Sequence, residues 1–184
     1  MGLTFSVNEH VLIPRQDTEI LVEEVLKELH DGMRVLDMCT GSGCILLSLL
    51  HYSNDCEGLG VDLSAEALEV AGRNVLKVLT PEKAEHAHFL QSDLFEKVEG
   101  KFEIIVSNPP YIASAEVEKL MPEVRDHEPR MALDGTEDGL YFYRRIIEEA
   151  GKHLVSSGML FFRSIKRMNV QVCRNLSHSM RTNS

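Results

Sequence analysis

The strongest constraint in this chain is an alternation. Short apolar runs, several ending in an acid or an asparagine, are separated by segments whose apolar residues recur at helical spacing. Residues 33–38 (M-R-V-L-D-M), 58–62, 88–91, 102–107 (F-E-I-I-V-S) and 159–162 read as strands. Residues 16–30, 43–51, 65–79 and 140–154 carry the helical period, and 115–121 reads as a shorter helix. Asp17 or Thr18 is the expected cap of the first helix, and Ser64 that of the helix beginning at Ala65. This order predicts an α/β fold: a mostly parallel sheet, helices on both faces, right-handed crossovers. A chain of 184 residues suits one domain, and a hydrophobic fraction of 43% can fill a sizeable core.

In open parallel sheets, ligands collect beyond the carboxyl ends of the strands, where the strand order reverses. The first such end is Asp37-Met38-Cys39-Thr40-Gly41-Ser42-Gly43. Gly41 and Gly43 permit a tight turn and a close ligand approach, and the N–H groups of the next helix can receive a polar tail. A methionine-type cofactor would lay its amino-acid end here, against Cys39, Thr40, Gly41, Ser42 and Gly43. Turn geometry alone is the other reading of these glycines. The dinucleotide fingerprint is broken, because Leu46 stands at its third glycine. Asp62 closes the next strand, where an acid accepts both hydroxyls of a ribose, in nicotinamide and adenosyl cofactors alike. Its alternative role, capping the following helix, can fall to Ser64. Asp93, in Q-S-D-L-F, stands where an adenine amine would be met, with Leu94 packing on the ring; a plain surface acid is the other reading.

The most specific signal is Asn108-Pro109-Pro110-Tyr111, directly after the run 102–107. The prolines fix the backbone and remove N–H donors, leaving carbonyls free to face a site. A planar NH2 group has two hydrogens to donate, and the Asn108 side-chain oxygen and the Pro109 carbonyl can accept them. That would hold the nitrogen with its lone pair aimed at a sulfonium methyl, while Tyr111 packs flat on the planar group.

The formal net charge is -10, from 29 acids against 19 bases, which argues against direct binding to a phosphate backbone. No apolar run approaches a membrane span, and the first residues lack a signal-peptide pattern, so cytoplasmic residence is expected. Cys39, Cys44, Cys56 and Cys173 show no zinc spacing, and no metal is expected.

These motifs occur in a telling order: V-L-I-P-R-Q-D-T-E (11–19), D-M-C-T-G-S-G, V-D-L-S, Q-S-D-L-F, S-N-P-P-Y-I and V-R-D-H-E-P-R-M-A-L-D-G (124–135). Together they resemble the release-factor glutamine methyltransferases (the HemK/PrmC family) over residues 2–162. The resemblance implies a Rossmann-like methyltransferase fold and S-adenosyl-L-methionine as cofactor. It also implies a peptide chain release factor as partner, methylated on the glutamine side chain of its Gly-Gly-Gln motif. Carried over by position, Cys39 to Gly43, Asp62, Leu94 and Asn108 contact the cofactor, and Asn108 to Tyr111 hold the glutamine. Cys39 replaces a frequent glycine and Leu94 a frequent tryptophan. Arg15 to Glu19 and Glu128-Pro129 match family signatures and are given a supporting role.

Two departures are expected to matter. Relatives carry a helical substrate-docking domain that these residues do not include. The catalytic domain is expected to span 1–162. The family continues with E-I-G-like residues and a closing antiparallel hairpin, whereas this chain reads Phe162-Arg163-Ser164-Ile165-Lys166. Residues 163–184 are therefore expected to form an atypical tail, read in a shifted frame, with the hairpin missing and the strand at 159–162 left as a sheet edge. Three other functions stay open at this point. One is methylation of an adenine or cytosine amine in nucleic acid, and another a non-catalytic cofactor-binding module. The remotest is a nicotinamide dehydrogenase.

Overall fold

The apolar runs become the parallel part of one sheet in the computed structural model, which describes residues 1–163 and the backbone of 170–174. In chain order the elements are α1 (Gln16–Leu26), β1 (Arg34–Met38), α2 (Cys44–Tyr52), β2 (Glu57–Asp62), α3 (Ala65–Val78), the single turn α4 (Pro81–Ala84) and β3 (Ala87–Gln91). There follow β4 (Phe102–Ser107), three single turns α5 (Ser114–Val117), α6 (Pro122–Arg125) and α7 (Arg130–Leu133), then α8 (Tyr141–His153), β5 (Leu154–Arg163) and β6 (Val170–Arg174). The sheet runs β3-β2-β1-β4-β5-β6. β1 to β5 are parallel to their neighbours, and β6 lies antiparallel on β5. Because β1 is flanked by β2 and β4, the chain reverses direction across the sheet between β1 and β4, and the loops leaving these strands part to open a crevice.

The two faces of the sheet are covered because the strands are apolar on both sides. On one face Val35, Ile104, Val106 and Phe161 pack with Leu21 and Val25 of α1 and Leu46 and Leu49 of α2. On the other, Leu36, Met38, Ile105, Leu160 and Phe162 pack with Ile146 and Ala150 of α8. Adjacent residues thus serve opposite cores, as the two-residue strand period requires. One polar residue interrupts the apolar face of α3. Asn74 is fully buried; it donates to the carbonyls of Ser6 (3.0 Å) and Ser42 (2.9 Å) and accepts from the Ser6 N–H (2.7 Å). It thereby ties the N-terminal segment to the turn after β1.

Several expectations are corrected. α1 ends at Leu26, and neither Asp17 nor Thr18 caps it: Arg15 is the N-cap, with no side-chain capping bond. Asp17 is engaged instead by Arg163, and Thr18 is buried. The helix at 115–121 shortens to Ser114–Val117, and Pro122 opens the next turn, since proline is favoured at a helix start. β5 is longer than 159–162 and is not the sheet edge. The expectation that nothing closes the sheet beyond it is overturned by Val170–Arg174, paired from Met159↔Arg174 to Arg163↔Val170. The physical reason is that ladder bonds are made by backbone, which almost any extended segment supplies, so a strand forms here although only V-Q-V alternates and Cys173 and Arg174 do not continue the period. The rest of the expected tail, 164–169 and 175–184, lies outside the described residues, as does its shifted-frame origin. No helix among the described residues is long and apolar enough to cross a membrane.

Candidate active site

A cleft with ≈ 990 Å³ of empty space, its solvent mouth included, opens over the carboxyl ends of β1, β2 and β4. Its walls include Cys39, Thr40, Gly41 and Ser42 after β1, Asp62 after β2, Asp93 and Leu94 after β3, and Asn108 and Pro110 after β4. Gly43, Pro109 and Tyr111 are not on this wall; Gly43 is the N-cap of α2, and Pro109 is buried beneath. The N-terminal segment (His10 to Leu12, Pro14), Thr18, Pro129, Met131, Ala132 and Phe142 complete the cleft.

The turn after β1 is held from several sides. The Thr40 N–H donates to the Val61 carbonyl at 2.9 Å, and the Gly41 N–H to Asp62 Oδ2 at 2.8 Å. Cys39 takes φ 62, a left-handed value that costs a residue with a Cβ roughly 1–2 kcal/mol. Burial pushes its thiol up, away from the thiolate. α2 starts at Gly43 with φ 76 and no side-chain cap; the Gly43 N–H donates to the Thr40 carbonyl and the Leu46 N–H to Asp37, which leaves the Cys44 and Ile45 N–H groups for a ligand. Asp62 also accepts from the Ser64 N–H at 3.1 Å, while Ser64 caps α3 as expected, accepting from Ala67 at 3.0 Å. Each Asp62 oxygen keeps lone pairs beyond these bonds.

Asp37 was not among the expected contacts, yet it underlies the whole turn. It is fully buried; Oδ2 accepts from Thr40 Oγ1 (2.6 Å) and the Leu46 N–H (3.3 Å), and Oδ1 has no partner among the described residues. Burial raises its carboxyl from 3.8 to about 7, against the lowering effect of the Thr40 and Leu46 bonds. Between these values the folded protein holds a proton that the unfolded chain has released. Stability from this group is therefore full below the unfolded value and lost as pH rises toward about 7, at up to about 1.4 kcal/mol per pH unit. Asp62, also raised by burial, acts in the same direction. Urea titrations near pH 5 and pH 7 should show a smaller loss for Asp37→Asn than for the parent; equal losses would refute this origin.

Asp93 is not a free surface acid, for Arg145 donates to its Oδ1 at 2.9 Å. Leu94 is buried at φ 48, again a left-handed value. Asn108 follows Ser107, whose hydroxyl donates to the Met38 carbonyl at 2.6 Å and locks the ends of β1 and β4 together. Asn108 Oδ1 is buried and accepts no hydrogen bond from the described protein. Beyond Tyr111 the chain makes a closed loop. The Ile112 N–H donates to the Leu133 carbonyl (3.0 Å), the Gly135 N–H to the Ile112 carbonyl (2.8 Å), and Ser114 Oγ to Asp134 Oδ1 (2.6 Å). The signature at 124–135 thus folds back on N-P-P-Y. Glu128, buried within it, pairs with Arg15 at the start of α1, and its Oε2 has no partner among the described residues.

Pattern reading does not anticipate Asn74 or Phe142 on the cleft and its supports, and it offers Thr18 only as a candidate helix cap within a family signature. An asparagine one turn from Val70 and Val78 was a visible signal for the first; Phe142 looks like an ordinary helix residue.

An open sheet with ligand-ready groups gathered at its switch point places this fold among the Rossmann-like methyltransferases. Solved structures agree: a methyltransferase from Pyrococcus furiosus superposes with TM-score 0.57 at 20% identity, covering 88% of this chain and 68% of that one. A methyltransferase from Geobacter sulfurreducens, in complex with S-adenosyl-L-homocysteine, gives 0.52 at 17%, covering 83% and 49%. The chain belongs to the methyltransferase small domain family, which matches residues 15–124. Among its relatives, a release factor glutamine methyltransferase from Clostridium acetobutylicum is 48% identical over 166 residues, 88% of this chain and 58% of its own. Another, from Thermodesulfovibrio yellowstonii, is 44% identical over 165 residues, 87% and 58%. The chain therefore spans less than two thirds of the length of these curated relatives.

Proposed function

We propose that this chain transfers the methyl group of S-adenosyl-L-methionine to the side-chain amide nitrogen of the glutamine in the Gly-Gly-Gln motif of peptide chain release factors. The observation that carries this reading is Asn108 Oδ1, a buried acceptor without a partner on the wall of the cleft. Such a group costs free energy in the isolated protein, and a substrate NH2 relieves that cost.

The residues present fit the cofactor. The uncapped start of α2 and the turn Cys39 to Gly43 receive its amino-acid end. Asp62 keeps acceptor capacity for the ribose hydroxyls, and Asp93 and Leu94 wall the adenine side. S-adenosyl-L-methionine supplies an electrophilic methyl on a sulfonium. The chain's own part is positioning. Asn108 Oδ1 and the Pro109 carbonyl accept the two amide hydrogens, so the planar nitrogen presents its lone pair to the cleft. Pro110 rigidifies the strand end, and Tyr111 packs on the amide plane. The same two acceptors stabilise positive charge as it develops on nitrogen, which counts because an amide nitrogen is a weak nucleophile. Transfer is direct: the N–C bond forms as the S–C bond breaks, the neutral thioether S-adenosylhomocysteine leaves, and the methylated, cationic nitrogen then gives up its extra proton to solvent water.

Two measurements test this. S-adenosylhomocysteine at about 100 times its dissociation constant should stabilise the protein by roughly 2.7 kcal/mol, a melting rise of about 5–10 °C. A cooperative melt without a shift would mean a sheet that folds around a non-binding site. Methyl-labelled cofactor should then label a class-I release factor, but not its variant with the Gly-Gly-Gln glutamine replaced by alanine. Label entering DNA or RNA instead would transfer the reaction to a base amine.

A further inference from the structure

We propose that Arg163 is a positioning residue for the amide-holding end of the cleft: neutralised and held by Asp17, it occupies one face of the Tyr111 ring and leaves the other face to the substrate. The inference rests on the methyl-transfer reading of the cleft and adds a residue to it.

Arg163 is the last residue of β5. Phe162 stands opposite Ser107 in the sheet, so Arg163 emerges one step on, beside the strand end that carries Asn108. The Arg163 guanidinium carbon lies 5.2 Å from the centroid of the Tyr111 ring, within cation–π range. Its Nη2 donates to Asp17 Oδ2 at 2.9 Å, and its side chain is only 14% exposed. Its carbonyl accepts from the Tyr143 hydroxyl at 2.8 Å, so backbone and side chain are both pinned. An aromatic ring offers two faces. With a guanidinium on one, a planar amide can pack only on the other, and the ring is fixed before the substrate arrives.

The pairing with Asp17 follows from charge. A lone cation beside Asn108 would repel both a sulfonium and the positive charge developing on the amide nitrogen. Asp17 cancels that field while leaving the guanidinium plane free to stack. Pairing this far apart in sequence, 146 residues, also fastens the start of α1 to the end of β5. Arg15, two residues earlier, fastens it to Glu128 of the loop that follows N-P-P-Y.

The test uses the full chain and the variants Arg163→Met, Arg163→Lys, Asp17→Asn and the double variant Asp17→Asn/Arg163→Met. Arg163→Met should move the NMR resonances of the Tyr111 ring, raise KM for the release factor and lower kcat, together about tenfold or more in kcat/KM. Affinity for S-adenosylhomocysteine should stay within about twofold. Arg163→Lys, which keeps the cation but not the stacking plane, should recover only part of the loss. Asp17→Asn should weaken S-adenosylmethionine relative to S-adenosylhomocysteine by about three- to tenfold, because only the former carries a sulfonium, and the double variant should restore the ratio. A purely structural pair would change both ligands alike. Unmoved Tyr111 resonances in Arg163→Met, failure of lysine to rescue, or an unchanged ligand ratio in Asp17→Asn would each overturn the proposal. If the parent binds S-adenosylhomocysteine yet methylates no release factor, the substrate assignment falls, and the Tyr111 resonances and the ligand ratio still decide the role of Arg163.

Discussion

Replacing Asn108 by alanine is expected to lower turnover by about two to three orders of magnitude while leaving the fold and the affinity for S-adenosylhomocysteine intact. The size follows from what Asn108 supplies: one of two acceptors on a nitrogen that reacts only when held. The selectivity follows from what it does not supply. Asn108 Oδ1 makes no hydrogen bond within the described protein, so its removal breaks no hydrogen bond there. Loss of a buried unsatisfied acceptor should leave stability unchanged or raise it by about 1 kcal/mol. Turnover at saturating cofactor, measured beside thermal melts with and without S-adenosylhomocysteine, checks both halves. Turnover within twofold of the parent would place the amide elsewhere.

The second large effect is expected at Gly139, far from the strand ends in sequence. Gly139 has φ 73, and a Cβ there would run into the carbonyl oxygen of Tyr111. Gly139→Ala should therefore combine left-handed strain of about 1–2 kcal/mol with a displacement of N-P-P-Y costing about 1–3 kcal/mol more. Urea denaturation should report the summed loss, and turnover should fall at least tenfold because Tyr111 and its neighbours shift. Binding of S-adenosylhomocysteine should largely survive, since the turn after β1 is held by Asp62 and Asn74 instead. Gly72→Ala is the matching control. Gly72 lies exposed in α3 with nothing within 4 Å of a Cβ, and alanine should stabilise by about 0.5–1 kcal/mol. If the two substitutions act alike, the loop at 112–139 does not brace the site.

Much of the site was legible before any coordinates. Cys39 to Ser42, Asp62, Asp93, Leu94, Asn108 and Pro110 were each assigned to a strand end, and the structure gathers them on one cleft. That worked because a parallel sheet sends all its carboxyl ends to the same side, so a residue's place in its strand fixes its place in the molecule. Their partners were less legible. Asp62 presented itself as a ribose acceptor, and it also ties down Gly41 and Ser64. Asp93 looked like a loop acid, and it holds Arg145. The strand at Val170–Arg174 was overlooked because its residues alternate only over V-Q-V, too short a run to read as a strand, and its neighbours in sequence are mostly polar.

The sequence by itself determined the order of the five parallel strands and the longer helices and which residues stand at the strand ends, because two-residue and 3.6-residue periods are local properties of the chain. Only the tertiary structure decided that Asp37 is sealed from water, that Asn108 Oδ1 lacks a partner, and that Arg163 reaches both Asp17 and Tyr111. Those facts depend on which distant segments meet, and burial and pairing are set by that meeting rather than by the identity of neighbours along the chain.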